Sequence, residues 1–319
     1  MSVHPTGPRC TASAPGGIGN IGPGLDVLGC ALAGPRDEVT VGWHDSPEII
    51  VRSAGHPDLP TNPERHTAAL AAAAVLRRAR RDHPGVPPLG LVIDVRKELP
   101  LLGGQGGSSA SAVAGAVATN ALLGGLLDQT ALLECCLAAE EVVAGRHLDN
   151  IAPSMLGGIV LVRAMDPIDV IRLPVPTGLR LVIAHPSQRL ATSASRGVLP
   201  ASVTRAVAQH QMAQVGAMVA ACYTGDLALF GRAIDDRIAE PVRSTLLPGF
   251  VEAKGAALEA GALGVSISGA GPSAFAVVAD DAVGAEVGRA MVSAYARAGV
   301  DCTTRITTVD TQGAIVSAA

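Results

Sequence analysis

The chain has 319 residues, of which 48% are hydrophobic, 16% charged and 2% aromatic, and its formal net charge is −4. This is apolar material for one large domain or two medium ones, at about 100–200 residues each. The absence of a basic run and the scarcity of aromatic rings argue against a nucleic-acid partner, and no apolar run approaches the ~18 uninterrupted residues of a membrane helix.

The first residues, Met1-Ser-Val-His-Pro, lack the apolar core of a signal peptide. Asp37 to Gly42 and Pro47 to Ala54 read as strands, and His66 to Arg80 as a helix. Val92 to Val95 is a strand that enters a glycine-rich loop, and the Ala/Leu-rich stretches Ser109 to Leu123 and Gln129 to Ala144 follow as helices. Gly158 to Arg163 and Leu179 to Ala184 are short apolar strands. Between them, Pro167 to Pro176 carries three prolines and weak periodicity, which places a domain boundary at 168/169. Helices are expected over Val203–Cys222, Asp226–Arg237, Gly249–Ala260 and Ala285–Ala298, with strands at Ala274–Val278 and Asp301–Val309. Mixed strands and helices without strict alternation indicate an α+β fold. The six cysteines (10, 30, 135, 136, 222 and 302) have no metal-ligand spacing and read as reduced thiols of a cytoplasmic protein.

The chemistry concentrates in Pro100-Leu-Leu-Gly-Gly-Gln-Gly-Gly-Ser-Ser-Ala-Ser111. Strand, glycine loop and helix present backbone N–H groups and a partial positive charge to an anion. It is not a Walker A loop, because no lysine lies between Lys97 and Lys254. Nor is it a dinucleotide fingerprint, because Gly104-Gln105-Gly106 is followed by Ser109 where a glycine is required. The local string alone reads equally as a phosphate cradle or a surface turn.

Two further glycine-rich segments, Ser13 to Asp26 and Gly264 to Ser273, flank it in the chain. The three together resemble the GHMP small-molecule kinases. The intervening segments are similar to the homoserine kinases within that family: Asn20-x-Gly-Pro-Gly-x-Asp26, His147-x-Asp149-Asn150-x-Ala-Pro, Thr192-x-x-x-Arg196-x-Val-Leu-Pro, Pro241-x-Arg243 and Gly-Val-x-x-Ser-Gly-Ala-Gly-Pro272. The resemblance implies a two-domain fold, with a ribosomal-S5-like N-terminal domain over 1–168 and an α/β sandwich over 169–319. It also implies transfer of the ATP γ-phosphate to the side-chain hydroxyl of L-homoserine, with Mg²⁺, and a homodimer as the family expectation.

Carried onto this chain, the resemblance implies that Pro100, Gly103, Gly104, Gln105, Gly106, Gly107, Ser108, Ser109 and Ala110 hold the nucleotide, with His66 near the adenine. Asn20, Asp26, His147, Asn150, Arg196 and Arg243 bind the amino acid, Asp26 at its ammonium and the two arginines at its carboxylate. Asn150 and Arg196 are the catalytic pair. An amide takes no proton, so Asn150 orients the hydroxyl, the proton goes to a phosphate oxygen or water, and Asp149 caps the Ile151–Met155 turn. Ser108 and Glu140 are the metal ligands, with Ser109 and Glu141 as rivals in register. Gln105 and Gly107 depart from the usual Gly-Leu-Gly-Ser-Ser-Ala, His66 from an asparagine, and Leu25 from a phenylalanine.

Overall fold

The computed structural model describes residues 6–317, so the amino-terminal segment read above as lacking a signal core lies outside them. Strands β1 (Thr6–Gly19), β2 (Leu28–His44) and β3 (Ile49–Ser53) lead to helix α1 (Thr67–Asp82). β4 (Gly90–Arg96), α2 (Gly107–Leu122), α3 (Gln129–Val143) and α4 (Ile151–Leu156) follow, then the hairpin β5 (Ile159–Met165) and β6 (Ile168–Leu173). β7 (Arg180–Pro186) opens the second half, with α5 (Thr192–Gly197), α6 (Arg205–Thr224), α7 (Leu227–Arg232) and α8 (Glu240–Arg243). α9 (Phe250–Glu259), β8 (Gly264–Ile267), β9 (Ala274–Val278), α10 (Asp281–Arg297), β10 (Cys302–Thr307) and β11 (Ile315–Ser317) complete the chain.

The strands form two sheets. The first runs β11-β1-β2-β4-β3, with β5 added to β2 and β6 to β5; only β3 and β4 pair in parallel. The second is antiparallel in the order β10-β7-β9-β8. The architecture is the expected α+β class.

Alternation along the strands assigns the cores. In β1, β2 and β4, Ala12, Ala14, Val39, Val41, Ile93 and Val95 share a core with the alanine-rich faces of α1 and α2. In the second sheet Val182, Ala184, Ala274, Ala276 and Val278 meet Phe250 of α9 and Met291 and Tyr295 of α10. The intervening residues Leu181, Ile183, Phe275 and Val277 point the other way, onto Ile18, Leu28 and Leu32 of the first sheet. β9 is therefore buried on both faces, which explains its unbroken apolar run. Each such buried side chain contributes about 1.5–3 kcal/mol, so this shared core locks the two sheets together.

Two sequence expectations change. Pro167 is not in a linker. Asp166-Pro167 is the two-residue turn between β5 and β6, and β6 pairs with β5 in the first sheet from Met165↔Ile168 to Ile159↔Leu173. The 168/169 boundary therefore cuts a hairpin, and β11 also returns to the first sheet beside β1. The helix expected over Asp226–Arg237 stops at Arg232. Beyond it the Asp236 carboxylate accepts from the N–H groups of Ile238, Ala239 and Glu240 at 2.8–3.1 Å, a local alternative to helix that acidic side chains offer. The Gly-, Pro- and Ser-rich stretch before Gly19 is strand, carried by ladder bonds to β2 rather than by propensity.

Candidate active site

A cleft of about 320 Å³ opens between the glycine loop, the segment 58–67 and residues of the second half, including Arg189, Thr192, Arg196, Arg243 and Gly269. The glycine loop shapes one wall. Gly104 (φ 70°) and Gly106 (φ 67°) both take the left-handed region, and a Cβ on Gly104 would lie 2.6 Å from the carbonyl oxygens of Ser268 and Gly271. Three successive carbonyls turn to protein donors. Gly103 O accepts from Ser273 N (3.3 Å), Gly104 O from Ser268 Oγ (2.6 Å) and Gln105 O from Gly17 N (3.0 Å). In a trans peptide the C=O and the next N–H point in opposite directions, so the N–H groups of residues 104–106 face away from those donors. α2 adds its N-terminus. Ala110 is its first residue with an intrahelical backbone acceptor, Gly106 O at 2.9 Å, which leaves the N–H groups of residues 107–109 unpaired by the helix. Successive N–H groups of this kind form an anion nest.

Under the loop lies an ion pair that sequence reasoning missed. Asp37 is fully buried and its partner Lys97 is 5% exposed. The Lys97 ammonium bonds Asp37, Gly107 O (2.8 Å) and Ser111 Oγ (3.0 Å), and Asp37 also accepts from Ser111 Oγ and the N–H groups of Glu98 and Leu99. The cluster ties β2, the entry to the loop and the first turn of α2 together. An acid in mid-strand at position 37, a residue type rare inside unless paired, was the available signal.

Ser108 and Glu140 come together at the cleft. Ser108 Oγ donates to Glu140 Oε1 at 3.4 Å, while Ser109 is buried with 1% exposure and Glu141 turns out to Arg146. Glu140 is 2% exposed, and among the described residues its Oε2 has no hydrogen-bond partner. Burial, chiefly, raises its pKa above the ordinary 4.5. A buried, underused carboxylate oxygen beside a hydroxyl at an anion nest fits Mg²⁺, which takes few protein oxygens and keeps waters and phosphates. Among the described residues no cluster of three or more His, Cys, Asp or Glu forms a closed metal cage.

Asn150, His147 and Asp149 line the cleft together. Asp149 does not cap α4. The helical bonding starts earlier, with Ala152 N donating to Leu148 O at 2.8 Å, and Asn150 at the N-cap makes no side-chain cap. Asp149 instead faces His147 Nδ1 at 3.5 Å and accepts from Asn150 Nδ2 at 3.4 Å. Burial works against the imidazolium, but the Asp149 carboxylate outweighs it and raises the His147 pKa above 6.5.

Asp26 and Arg196, expected to grip opposite ends of the substrate, bond each other. Arg196 Nη2 lies 2.5 Å from Asp26 Oδ1 and Nη1 lies 3.3 Å from Oδ2. Asn20 shapes this corner. Its backbone is left-handed (φ 70°), its Oδ1 accepts from Asp26 N, and its Nδ2 donates to Gly269 O. Arg243 is 3% exposed and donates to the carbonyls of Ser195 and Gly269, at 3.3 and 3.0 Å. Among the described residues no carboxylate forms an ion pair with it. Burial first, and the Arg196 charge second, lower its pKa.

His66 lines the cleft with Leu59, Pro60 and Arg65. Its Nε2 contacts Ala54 O at 3.3 Å, and a carbonyl can only accept, so Nε2 carries the hydrogen. Nδ1 is then a buried acceptor without a partner among the described residues, and burial lowers the pKa, which favours the neutral ring. Pro100, Gly103, Gly104 and Gly106 to Ser109 line the cleft as expected, but Gln105 and Ala110 do not. Ala110 is in the core with α1, and the Gln105 amide bonds Ser273 and Arg305 on the opposite side of the loop. Arg189, also missed, meets Asp58 at 3.0 Å across the cleft.

The GHMP kinase N-terminal-domain model matches residues 67–158, and the GHMP kinase C-terminal model matches residues 218–297, together more than half of the chain. The chain belongs to the GHMP kinase family. Among curated relatives of this kinase is the homoserine kinase of Chloroherpeton thalassium, 41% identical over 276 residues, covering 84% of this chain and 86% of that one. The homoserine kinase of Moorella thermoacetica is 40% identical over 304 residues, covering 95% and 98%. The crystal structure of homoserine kinase from Cytophaga hutchinsonii superposes with a TM-score of 0.90 at 36% identity, covering 99% of this kinase and 100% of that chain. Mevalonate kinase from L. major, at 16% identity and a TM-score of 0.69, shares the fold.

Proposed function

We propose that this kinase transfers the γ-phosphoryl group of ATP to the side-chain hydroxyl of L-homoserine. The observation that carries the reading is the Asp26–Arg196 pair beside Arg243. An α-amino acid presents an ammonium and a carboxylate on one carbon. Asp26 and Arg196 present the complementary charges within one contact, and Arg243 is a buried cation with no acid of its own. A carboxylate lodged between the two guanidiniums supplies the missing anion, and Arg suits it by bidentate bonding. Relatives named homoserine kinase, at 35–41% identity over most of this chain, select homoserine among amino-acid alcohols.

On this reading the loop N–H groups of residues 104–109 hold the phosphates, and the His66 Nδ1 acceptor receives the adenine amino group. Ser108 and Glu140 hold Mg²⁺, which when bound neutralises phosphate charge. Asn150 accepts from the substrate hydroxyl through its amide oxygen and aligns it for in-line attack. The Asp149 carboxylate accepts from the Asn150 amide and faces His147 Nδ1, and on this reading the hydroxyl proton leaves to a phosphate oxygen or water. Phosphoryl transfer requires positioning and charge neutralisation more than covalent chemistry. On this reading the reaction belongs to the cytoplasm, with which the six free cysteines, four of them buried, accord.

The test is ADP release by the purified protein with Mg-ATP and, in turn, L-homoserine, L-threonine, L-serine and mevalonate. Turnover with L-homoserine well above the others is expected. Turnover with another alcohol and none with L-homoserine overturns the substrate assignment.

A further inference from the structure

Gln105 stands where the family's usual loop has leucine, and it does not face the cleft. It is 4% exposed, on the side of the loop turned to the second sheet. Arg305 Nη2 on β10 donates to Gln105 Oε1 at 3.2 Å, Gln105 Nε2 lies 3.2 Å from Ser273 Oγ, and Ser273 Oγ lies 3.1 Å from His185 Nδ1 on β7. The direction of its first two bonds is forced. A guanidinium only donates, so the oxygen of the amide faces Arg305 and its NH₂ faces Ser273. The Ser273 hydroxyl, already accepting from Gln105, shares its second bond with His185 Nδ1 of a ring that is donor or acceptor there according to its tautomer, neutral in either case. Burial lowers the His185 pKa and favours that form. No carboxylate of the described residues pairs with Arg305, whose other donated bond goes to Ala33 O at 3.1 Å. Leucine offers neither the acceptor nor the donor.

The relay meets the loop where its carbonyls are drawn back. Ser273 also holds Gly103 O through its own N–H, and the neighbouring Ser268 hydroxyl holds Gly104 O. These bonds set which way the peptide units of the nest face.

We propose that Gln105 is a positioning residue. Through Arg305, Ser273 and His185 it fastens the phosphate-receiving loop to the second sheet from behind, so that nucleotide affinity depends on groups outside the cleft. The inference rests on the reading of the loop as the ATP loop.

Binding of Mg-ADP measured by calorimetry in the absence of amino acid, together with the separate KM values for ATP and L-homoserine, tests it. Gln105→Leu weakens Mg-ADP binding about tenfold, as expected for two buried hydrogen bonds lost and an acceptor removed from Arg305. The homoserine KM stays within about twofold, because among the described residues no hydrogen bond of the relay reaches Asp26, Arg196 or Arg243. Gln105→Glu keeps the acceptor for Arg305 and binds closer to wild type. Ser273→Ala, a smaller change that preserves folding, weakens nucleotide binding in the same direction with the same KM split. Nucleotide affinity equal to wild type in Gln105→Leu or Ser273→Ala, or both KM values rising together, overturns the proposal. Wild-type protein that binds no Mg-ADP overturns the loop assignment itself, and the proposal with it.

Discussion

Replacing Lys97 with methionine isolates the buried ion pair beneath the loop. Methionine keeps most of the apolar stem and removes the ammonium, with its bonds to Asp37, Gly107 O and Ser111 Oγ. Asp37, with 0% exposure, is then a buried carboxylate without a counter-charge. Removing one partner of a buried pair costs about 3–5 kcal/mol. The three donors that remain to Asp37, from Glu98 N, Leu99 N and Ser111 Oγ, place this case at the lower end, about 3 kcal/mol. Urea unfolding of Lys97→Met, compared with Asp37→Asn and the double variant, is the assay. Because the sites touch, the double variant recovers part of the loss, with a coupling of about 1–3 kcal/mol. Nucleotide affinity falls as well, since Gly107 opens α2 at the nest. A loss below about 1 kcal/mol, or strict additivity in the cycle, refutes the argument that the pair acts as one buried unit.

Two further outcomes follow from the site. Arg196→Ala raises the homoserine KM about 10- to 150-fold, the equivalent of one charged hydrogen bond at about 1.5–3 kcal/mol, and leaves the ATP KM unchanged; an altered ATP KM with an unchanged homoserine KM shows the carboxylate role is misplaced. Glu140→Gln lowers kcat/KM by two or more orders of magnitude, on the scale of one lost electrostatic stabiliser, yet stabilises the protein in EDTA. Burial raises the Glu140 pKa, so its protonated form is favoured in the fold, and that stabilisation is complete below 4.5 and lost as pH rises through the raised value. The Tm advantage of the variant is therefore largest near about pH 8 and fades toward about pH 4; a glutamine variant less stable than wild type at the higher pH contradicts it.

The legible parts of this chain are those where local chemistry and tertiary context agree. The strand–loop–helix around Gly104 was readable because glycine, hydroxyls and alanine each have one local meaning there. Arg196 and Arg243 were readable through the family resemblance, and the cleft brings both to one place. Long-range pairing was not readable. The glycines and prolines of β1 carry no strand signal and its ladder to β2 overrides them, and β6 was hidden by a turn proline. Gln105 illustrates the same limit within the loop. Its residue type marked a departure, but only the fold shows that the side chain leaves the cleft for Arg305 and Ser273. Asp149, assigned from sequence to a helix cap, reaches the cleft because the turn starts one residue earlier in its hydrogen bonding.

The most direct measurement is the identity and stoichiometry of the product formed from Mg-ATP and L-homoserine, followed by ³¹P NMR. The account predicts a phosphate monoester on the side-chain oxygen of homoserine, one for each ADP released. ADP released without that ester, or phosphate found on the carboxylate or on a different substrate alcohol only, contradicts it.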